Sequence, residues 1–282
     1  MTDGYLTSSH WGIGVVHVEG GRVREVVAHP DDPDPSPING NIAASLNGAA
    51  RVLRPAVRKG YLAGGPGPAG GARGREDFVE VDWDTALDLV ASELTRIRDR
   101  YGSGAVYAGS YGWASAGRFH HAQSQLKRFL NAGGGFVASK GNYSYHAALV
   151  LMPHIVGDYR RHVKEATRLS TLAEHGRLVV MFGGLPIRNA QVSGGGVGKH
   201  RLRGVLEDAA DAGVRFVNLS PLRTDAATSL NAEWLPPRPG SDSALMMALA
   251  HTLLSEGLHD RAFLDRYTIG FDRLADYLNG AD

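Results

Sequence analysis

The 282-residue chain contains no cysteine. That absence excludes a disulfide framework, a thiolate metal ligand, a Cys-ligated iron–sulfur cluster and a catalytic thiol. An excess of one charge is missing too: 30 Lys and Arg stand against 29 Asp and Glu, for a formal net charge of +1. Such a balance gives no electrostatic reason to expect nucleic acid, a membrane surface or a strongly acidic partner. No apolar run approaches the roughly 18 residues that a membrane-spanning helix needs. Met1 to Trp11 carries neither a basic stretch nor an apolar core, so no secretory leader is expected and a cytoplasmic location is the default. No internal repeat is evident.

What is abundant is glycine, 37 residues, much of it clustered. Glycine clusters mark places where backbone turns tightly or approaches a ligand closely. The length allows about two domains. The first segment reads as β: Gly14 to Val18 and Arg22 to Val27 are β-branched runs joined by Glu19-Gly20-Gly21, a hairpin turn. His29 to Pro37, with four prolines, is irregular loop, and Ala63 to Gly74, nearly all Gly, Pro and Ala, is a boundary or surface loop.

The pattern then alternates between helix and strand. Asp82 is placed to cap a helix from Trp83 to Arg100, with Ala86, Leu87, Val90, Leu94 and Ile97 on one face. Ala105–Ala108 and Phe136–Ala138 are short strands, Arg118–Asn131 is a helix stopped by glycines, and Ser144–Val156 is an apolar helix. Arg177–Phe182, a helix over Gly198–Ala212, and Val214–Leu219 form a βαβ crossover, hence a parallel pair. Helices over Asp242–Glu256 and His259–Tyr267 follow.

Ligands of doubly wound sheets sit outside the carboxyl ends of the strands. Three such ends carry chemistry: Gly109 to Trp113, Gly183 to Pro186, and Ser220 to Asp225. Glycines let a ligand lie against backbone, while hydroxyl and guanidinium groups bind phosphate oxygens. Simple strand termination explains the same residues, and pattern alone leaves both readings open. Ser193 to His200 is a near miss for a P-loop, with Ser193 where Gly is needed and His200 where Ser or Thr is needed. No Gly-x-Gly-x-x-Gly opens a helix after the first strand of the βαβ unit. The histidines, twelve in all, do not repeat at chelating helical spacing.

The stretch Gly109-Ser-Tyr-Gly-Trp-Ala-Ser-Ala-Gly-Arg-Phe-His120 closely resembles the substrate-pocket motif of bacterial dimethyl sulfoxide, trimethylamine N-oxide and biotin sulfoxide reductases. These are bis-(molybdopterin guanine dinucleotide) oxidoreductases. Gly141-Asn-Tyr-Ser144 resembles the stretch in which that group's serine ligates molybdenum. Collinear similarity extends through His10-Trp-Gly12, Arg54 to Tyr61, Phe78 to Asp84, Met152-Pro-His154, Ser220 to Asp225, and Arg238 to Asp242.

The resemblance implies an α/β fold. A small N-terminal β-rich segment over 1–62 precedes a doubly wound, mostly parallel Rossmann-like sheet over 63–282, an incomplete version of the family architecture. It implies two-electron oxygen-atom transfer from S-oxides or N-oxides and the cofactor Mo-bis(molybdopterin guanine dinucleotide). Ser144 would supply an alkoxide oxygen to the metal. Tyr111 would hydrogen-bond the departing oxygen through a phenol that stays protonated at neutral pH, and Trp113 would offer its indole N–H. Gly112 and Ser115 would line the cofactor. Gly183, Gly184 and Pro186 would let the guanine dinucleotide approach, Ser220, Arg223 and Thr224 would contact phosphate or ribose, and Asp242 would accept from the guanine edge. Competing structural roles stay open: a helix N-cap for Ser144, core packing for Tyr111 and Trp113, a solvated charge for Arg223, and an N-cap for Asp242.

The sequence departs from its relatives at Asn142, often Asp there, at Tyr145-His146, where small residues are usual, and in the stretch from Ser193 to Gly198. It covers roughly the first third of the family architecture, so exposed apolar surface and poor solubility are expected of the chain by itself. A small oxide substrate, an external electron donor and the missing C-terminal domains, on the same gene or a second chain, are the implied partners. The alternative is a catalytically silent remnant that binds pterin or a partner.

Overall fold

A computed structural model describes residues 4–67, 74–110, 121–193 and 198–281. The chain divides into two compact units. One runs to Ala166 and also takes in Gln191–His200; the other comprises Thr167–Ala190 and the chain from Arg201 onward.

The first unit opens with an antiparallel sheet of β1 (Tyr5–Ser9), β2 (Gly12–Glu19) and β3 (Arg22–Ala28). Glu19 pairs with Arg22, so Gly20 and Gly21 alone make the turn, at φ of 57° and 76°. One of the two favoured two-residue hairpin turns needs positive φ at both central positions, which is what the Gly-Gly pair supplies. Val15 and Val26 are buried, and α1 (Asn41–Asn47) packs on β3, tied by Asn47 Nδ2 donating to the Val23 carbonyl at 2.9 Å. The strands β4 (Ala56–Arg58) and β5 (Phe78–Glu80), separated in sequence by α2 (Lys59–Gly64), pair antiparallel. Neither strand was anticipated, because three-residue segments carry too little periodicity to read.

Asp82 caps α3 (Trp83–Tyr101) as expected, accepting from the Thr85 amide at 2.7 Å. The expected apolar face is only half realised. Ala86, Leu94 and Ile97 are partly buried, whereas Leu87 and Val90 are exposed. Two short parallel strands, β6 (Tyr107–Ala108) and β7 (Val137–Ala138), flank α4 (Ala122–Ala132) in sequence. The expected apolar helix over Ser144–Val156 is broken into α5 (His146–Leu151) and α6 (Pro153–Val156), followed by α7 (Tyr159–Glu165). Pro153 explains the break: its ring has no N–H and clashes with the preceding turn, so it begins a helix instead of continuing one.

The second unit begins with α8 (Leu172–His175) and contains the βαβ crossover: β8 (Leu178–Phe182), α9 (Leu202–Asp211) and β9 (Arg215–Leu219). Both strands are parallel, with Phe182 opposite Leu219, and β10 (Glu233–Trp234) extends the sheet in parallel on the far side of β9. Leu206 and Ala209 of α9, both fully buried, share a core with Met181, Phe216 and Leu230. The chain ends in α10 (Asp242–Ser255), α11 (Arg261–Tyr267) and α12 (Phe271–Leu278). The fold is α/β, and the parallel strands among the described residues lie in a three-stranded and a two-stranded ladder, not in one sheet.

The helix expected from Gly198 starts only at Leu202, because Gln191–His200 leaves the crossover and joins the first unit. There the Ser193 amide donates to the His10 carbonyl at 2.8 Å and Gln191 Nε2 to the Asp34 carbonyl at 3.1 Å. His200 and Asp32 form a buried pair, with Nδ1 to Oδ2 at 2.8 Å. Gly12, at φ of 105°, lets the His200 ring lie close, since a Cβ there would come within 2.9 Å of Cε1.

Candidate functional site

The carboxyl ends of β8 and β9 open side by side, and one residue organises both loops. Asp225 accepts from Ser220 Oγ at 2.7 Å on one carboxylate oxygen and from Arg188 Nη2 at 2.7 Å on the other. Its main-chain carbonyl accepts from the Leu185 amide at 2.7 Å. The first loop, Gly183 to Ala190, is thus pinned to the second, Ser220 to Asp225, at two points, while Ser220 braces the same carboxylate from within its own loop. The Ser220 hydroxyl, followed by the Arg188 guanidinium, holds the Asp225 carboxyl below its ordinary value.

Two glycines at the end of β8 serve different ends. Gly183 is exposed at φ of 77°, and nothing lies within 4 Å of where its Cβ would be. Gly184, at φ of 76°, is packed against Asp225, whose Cβ a side chain would strike. Only Gly183 opens toward space a ligand can fill. Pro186 is half-buried and starts the turn that buries Ile187.

Ser220, expected to meet phosphate or ribose, is buried at 1% exposure. Its hydroxyl donates to Asp225 and accepts from the Leu222 amide at 3.2 Å, while its carbonyl takes the Trp234 indole N–H at 2.8 Å. It therefore supports the loop from beneath. Arg223 and Thr224 are exposed on that loop. Asn218 donates to the carbonyls of Leu222 and Arg223 at 3.4 and 3.2 Å, leaving its buried Oδ1 without a hydrogen-bond partner. Asp242 is the first residue of α10 and Ser241 takes the cap position, so Asp242 lies in the first turn, where its charge meets the positive end of the helix.

In the first unit, Ser144 lies in the turn between β7 and α5 and is exposed. It is not the cap of α5, a position held by Tyr145. The turn is shaped by Gly141 at φ of 83°, by the His146 ring packed over Gly141, and by Asn142 Oδ1 accepting from the Tyr145 amide at 2.8 Å. Tyr111, Gly112, Trp113 and Ser115 lie outside the described residues. Asp225 and Arg188 were not singled out from the sequence. The signal available was the acidic end of Ser220-Pro-Leu-Arg-Thr-Asp225, beside glycines that need a neighbour.

A glycine-edged opening flanked by an exposed Arg and Thr fits an extended anionic cofactor. An exposed hydroxyl on a preformed turn likewise fits an oxygen ligand.

Residues 51–269 match the molybdopterin oxidoreductase model, and residues 7–46 match the molybdopterin oxidoreductase N-terminal domain. The chain belongs to the molybdopterin oxidoreductase family, whose cofactor is molybdenum–molybdopterin. It is 43% identical over 256 residues to biotin sulfoxide reductase of Cereibacter sphaeroides, covering 91% of this chain and 34% of the relative. It is 37% identical over 275 residues to dimethyl sulfoxide/trimethylamine N-oxide reductase of Rhodobacter capsulatus, covering 98% and 33%. Trimethylamine-N-oxide reductase of Haemophilus influenzae is 37% identical over 277 residues, again covering 98% and 33%. The chain spans about a third of the length of these curated relatives. Among the described residues, no helix is long and apolar enough to cross a membrane.

Proposed function

We propose that this chain forms the N-terminal third of a molybdenum-dependent reductase of S-oxides or N-oxides, holding Mo-bis(molybdopterin guanine dinucleotide). The observation that carries the reading is the near full-length similarity of the chain to relatives named for these activities. The overall reaction takes an S-oxide, two electrons and two protons to a sulfide and water, and the cofactor supplies the redox change when bound.

The chain's own residues bind and orient. Ser144 offers an oxygen ligand from a turn that Gly141, Asn142 and His146 hold in shape. Tyr111 and Trp113 offer a phenol and an indole N–H to the substrate oxygen, both protonated at neutral pH. Gly112 and Ser115 line the cofactor. The β8–β9 edge would hold the guanine dinucleotide: Gly183 would leave room for it, Gly184 and Pro186 would shape the loop, Arg223 and Thr224 would bind its phosphates, and Asp242 would accept from the guanine N–H edge. Ser220 acts from below, through Asp225.

We assign 1–62 to the N-terminal β-rich segment and 63–282 to the α/β domain. Without cysteine the chain contains no iron–sulfur relay, so electrons arrive from an external donor. The polypeptide equivalent to the relatives' remaining two thirds, on this gene product or a second chain, completes the enzyme.

The test is made on the assembled enzyme purified from its own cells. Molybdenum and GMP are expected in the preparation, and Ser144→Ala is expected to abolish reduction of methyl sulfoxides and trimethylamine N-oxide. Unchanged turnover in Ser144→Ala overturns the ligand assignment.

A further inference from the structure

A helix on the surface of a globular unit is normally apolar along one stripe and polar opposite it, and a helix that is apolar all round is buried all round. The α10 sequence, Asp-Ser-Ala-Leu-Met-Met-Ala-Leu-Ala-His-Thr-Leu-Leu-Ser, is apolar on every side, yet none of its residues is buried. One side faces α12, and there Met247 lines a cavity together with Tyr277 and Leu278. On another side, Met246, Leu249 and Leu253 are 46%, 47% and 48% exposed. Their i, i+3, i+7 spacing puts them on one face, as a seam for packing against a further element.

The sheet of the same unit is short of cover as well. Parallel sheets are covered on both faces. Here one face of β8 turns Met181 into the core, while Leu178 and Val180, pointing to the other face, are 54% and 40% exposed.

We infer that the Met246–Leu249–Leu253 face of α10 is the docking surface for the polypeptide equivalent to the remaining two thirds of the relatives, through an aliphatic face of that polypeptide. This rests on the family reading above. The relatives' extra length supplies the occupant, because the chain matches only 33–34% of each. The chemistry of the stripe excludes a lipid surface: α10 contains no Lys or Arg, whereas helices that lie on membranes carry them beside the apolar face. The stripe begins one turn after Asp242, so the docked segment would close the unit beside the residue assigned to guanine.

The experiment uses the full chain, co-expressed with the segment of the Cereibacter sphaeroides biotin sulfoxide reductase that lies beyond the matched third. The first readout is peroxide oxidation of Met246, followed by peptide mass spectrometry. In the complex its rate is expected to fall at least tenfold relative to the chain alone. The second is Leu249→Glu, expected to weaken co-purification at least tenfold while helix content by circular dichroism stays unchanged. No association, or association with Met246 oxidised as fast as in the free chain, overturns the inference. Protection that grows with the concentration of this chain alone points to a second copy as occupant and also overturns it. A complex with Met246 protected but without molybdenum or GMP leaves the surface standing and sinks the cofactor reading instead.

Discussion

Arg188 and Asp225 meet at 2.7 Å across the two loops that leave the neighbouring parallel strands β8 and β9. Arg188 is 60% exposed along its side chain, so solvent screens the pair and its Coulomb attraction is modest. The Ser220 hydroxyl, buried beneath the same carboxylate, is the stronger hold. The edge assigned to the cofactor is therefore set by an acid that faces inward, and the exposed Arg and Thr beside it are held in place by that acid.

Asp225→Asn should loosen this edge. An amide cannot accept from both Ser220 and Arg188 as the carboxylate does, and loss of charge-assisted bonds with a buried partner costs roughly 1–3 kcal/mol. Urea unfolding should report a drop of about 2 kcal/mol. The assembled enzyme should also lose GMP on dialysis faster than wild type. An unchanged urea midpoint would rule out Asp225 as the tie between the loops.

Acid should reveal the same group. A carboxylate whose folded pKa lies below its unfolded value stabilises the fold above the unfolded value, near pH 4, and loses that contribution as pH falls through the folded value. The stability gap between wild type and Asp225→Asn is thus expected to hold constant from neutral pH down to about 5, and to close below about 4. A gap that widens in acid contradicts the assignment.

The paired glycines make a controlled comparison. Both have φ near 77°, so alanine at either position carries a left-handed backbone penalty of about 1–2 kcal/mol. Gly183→Ala meets nothing further, whereas Gly184→Ala must also displace Asp225, adding about 1–3 kcal/mol of overpacking. Thermal melts of the two variants should rank Gly184→Ala clearly below Gly183→Ala. Equal melting temperatures would show that Gly184 has room.

In the first unit, His200→Ala leaves the Asp32 carboxylate without its imidazole and opens a cavity beside Gly12. Leaving that carboxylate without its hydrogen-bond partner costs about 1–3 kcal/mol, and the cavity adds to it. Hydrogen exchange at the Ser193 amide, bonded to His10, should accelerate at least a hundredfold as Gln191–His200 lifts off. Exchange at the wild-type rate would mean that the pair does not hold the segment.

Features encoded within a few residues were legible in the sequence. Glu19-Gly20-Gly21 announced a hairpin turn, which the two glycines alone make, Asp82 announced a helix cap, and the runs ending at Phe182 and Leu219 a parallel pair. The proposed role of Ser144 rests on resemblance alone, since a serine before an apolar run reads equally well as a cap. Features that depend on distant partners were hidden. Nothing local marks His200 as the partner of Asp32, 168 residues away, and Asp225 looks like any acid at the end of a loop until Gly184 is seen against it. Ser220 was placed in the right loop but with the wrong orientation, because spacing does not say which hydroxyl points inward. Leu87 and Val90 fit a core stripe by periodicity, yet nothing among the described residues buries them.

The detour of Gln191–His200 constrains how this protein could be cut or rebuilt. Because the crossover between β8 and α9 surrenders ten of its residues to the other unit, no single scission yields two self-sufficient pieces. Deleting the first 166 residues would strip that excursion of its seat, with His10, Asp32 and Asp34 gone. Swapping the α/β unit between relatives should fail for the same reason unless the N-terminal sheet travels with it.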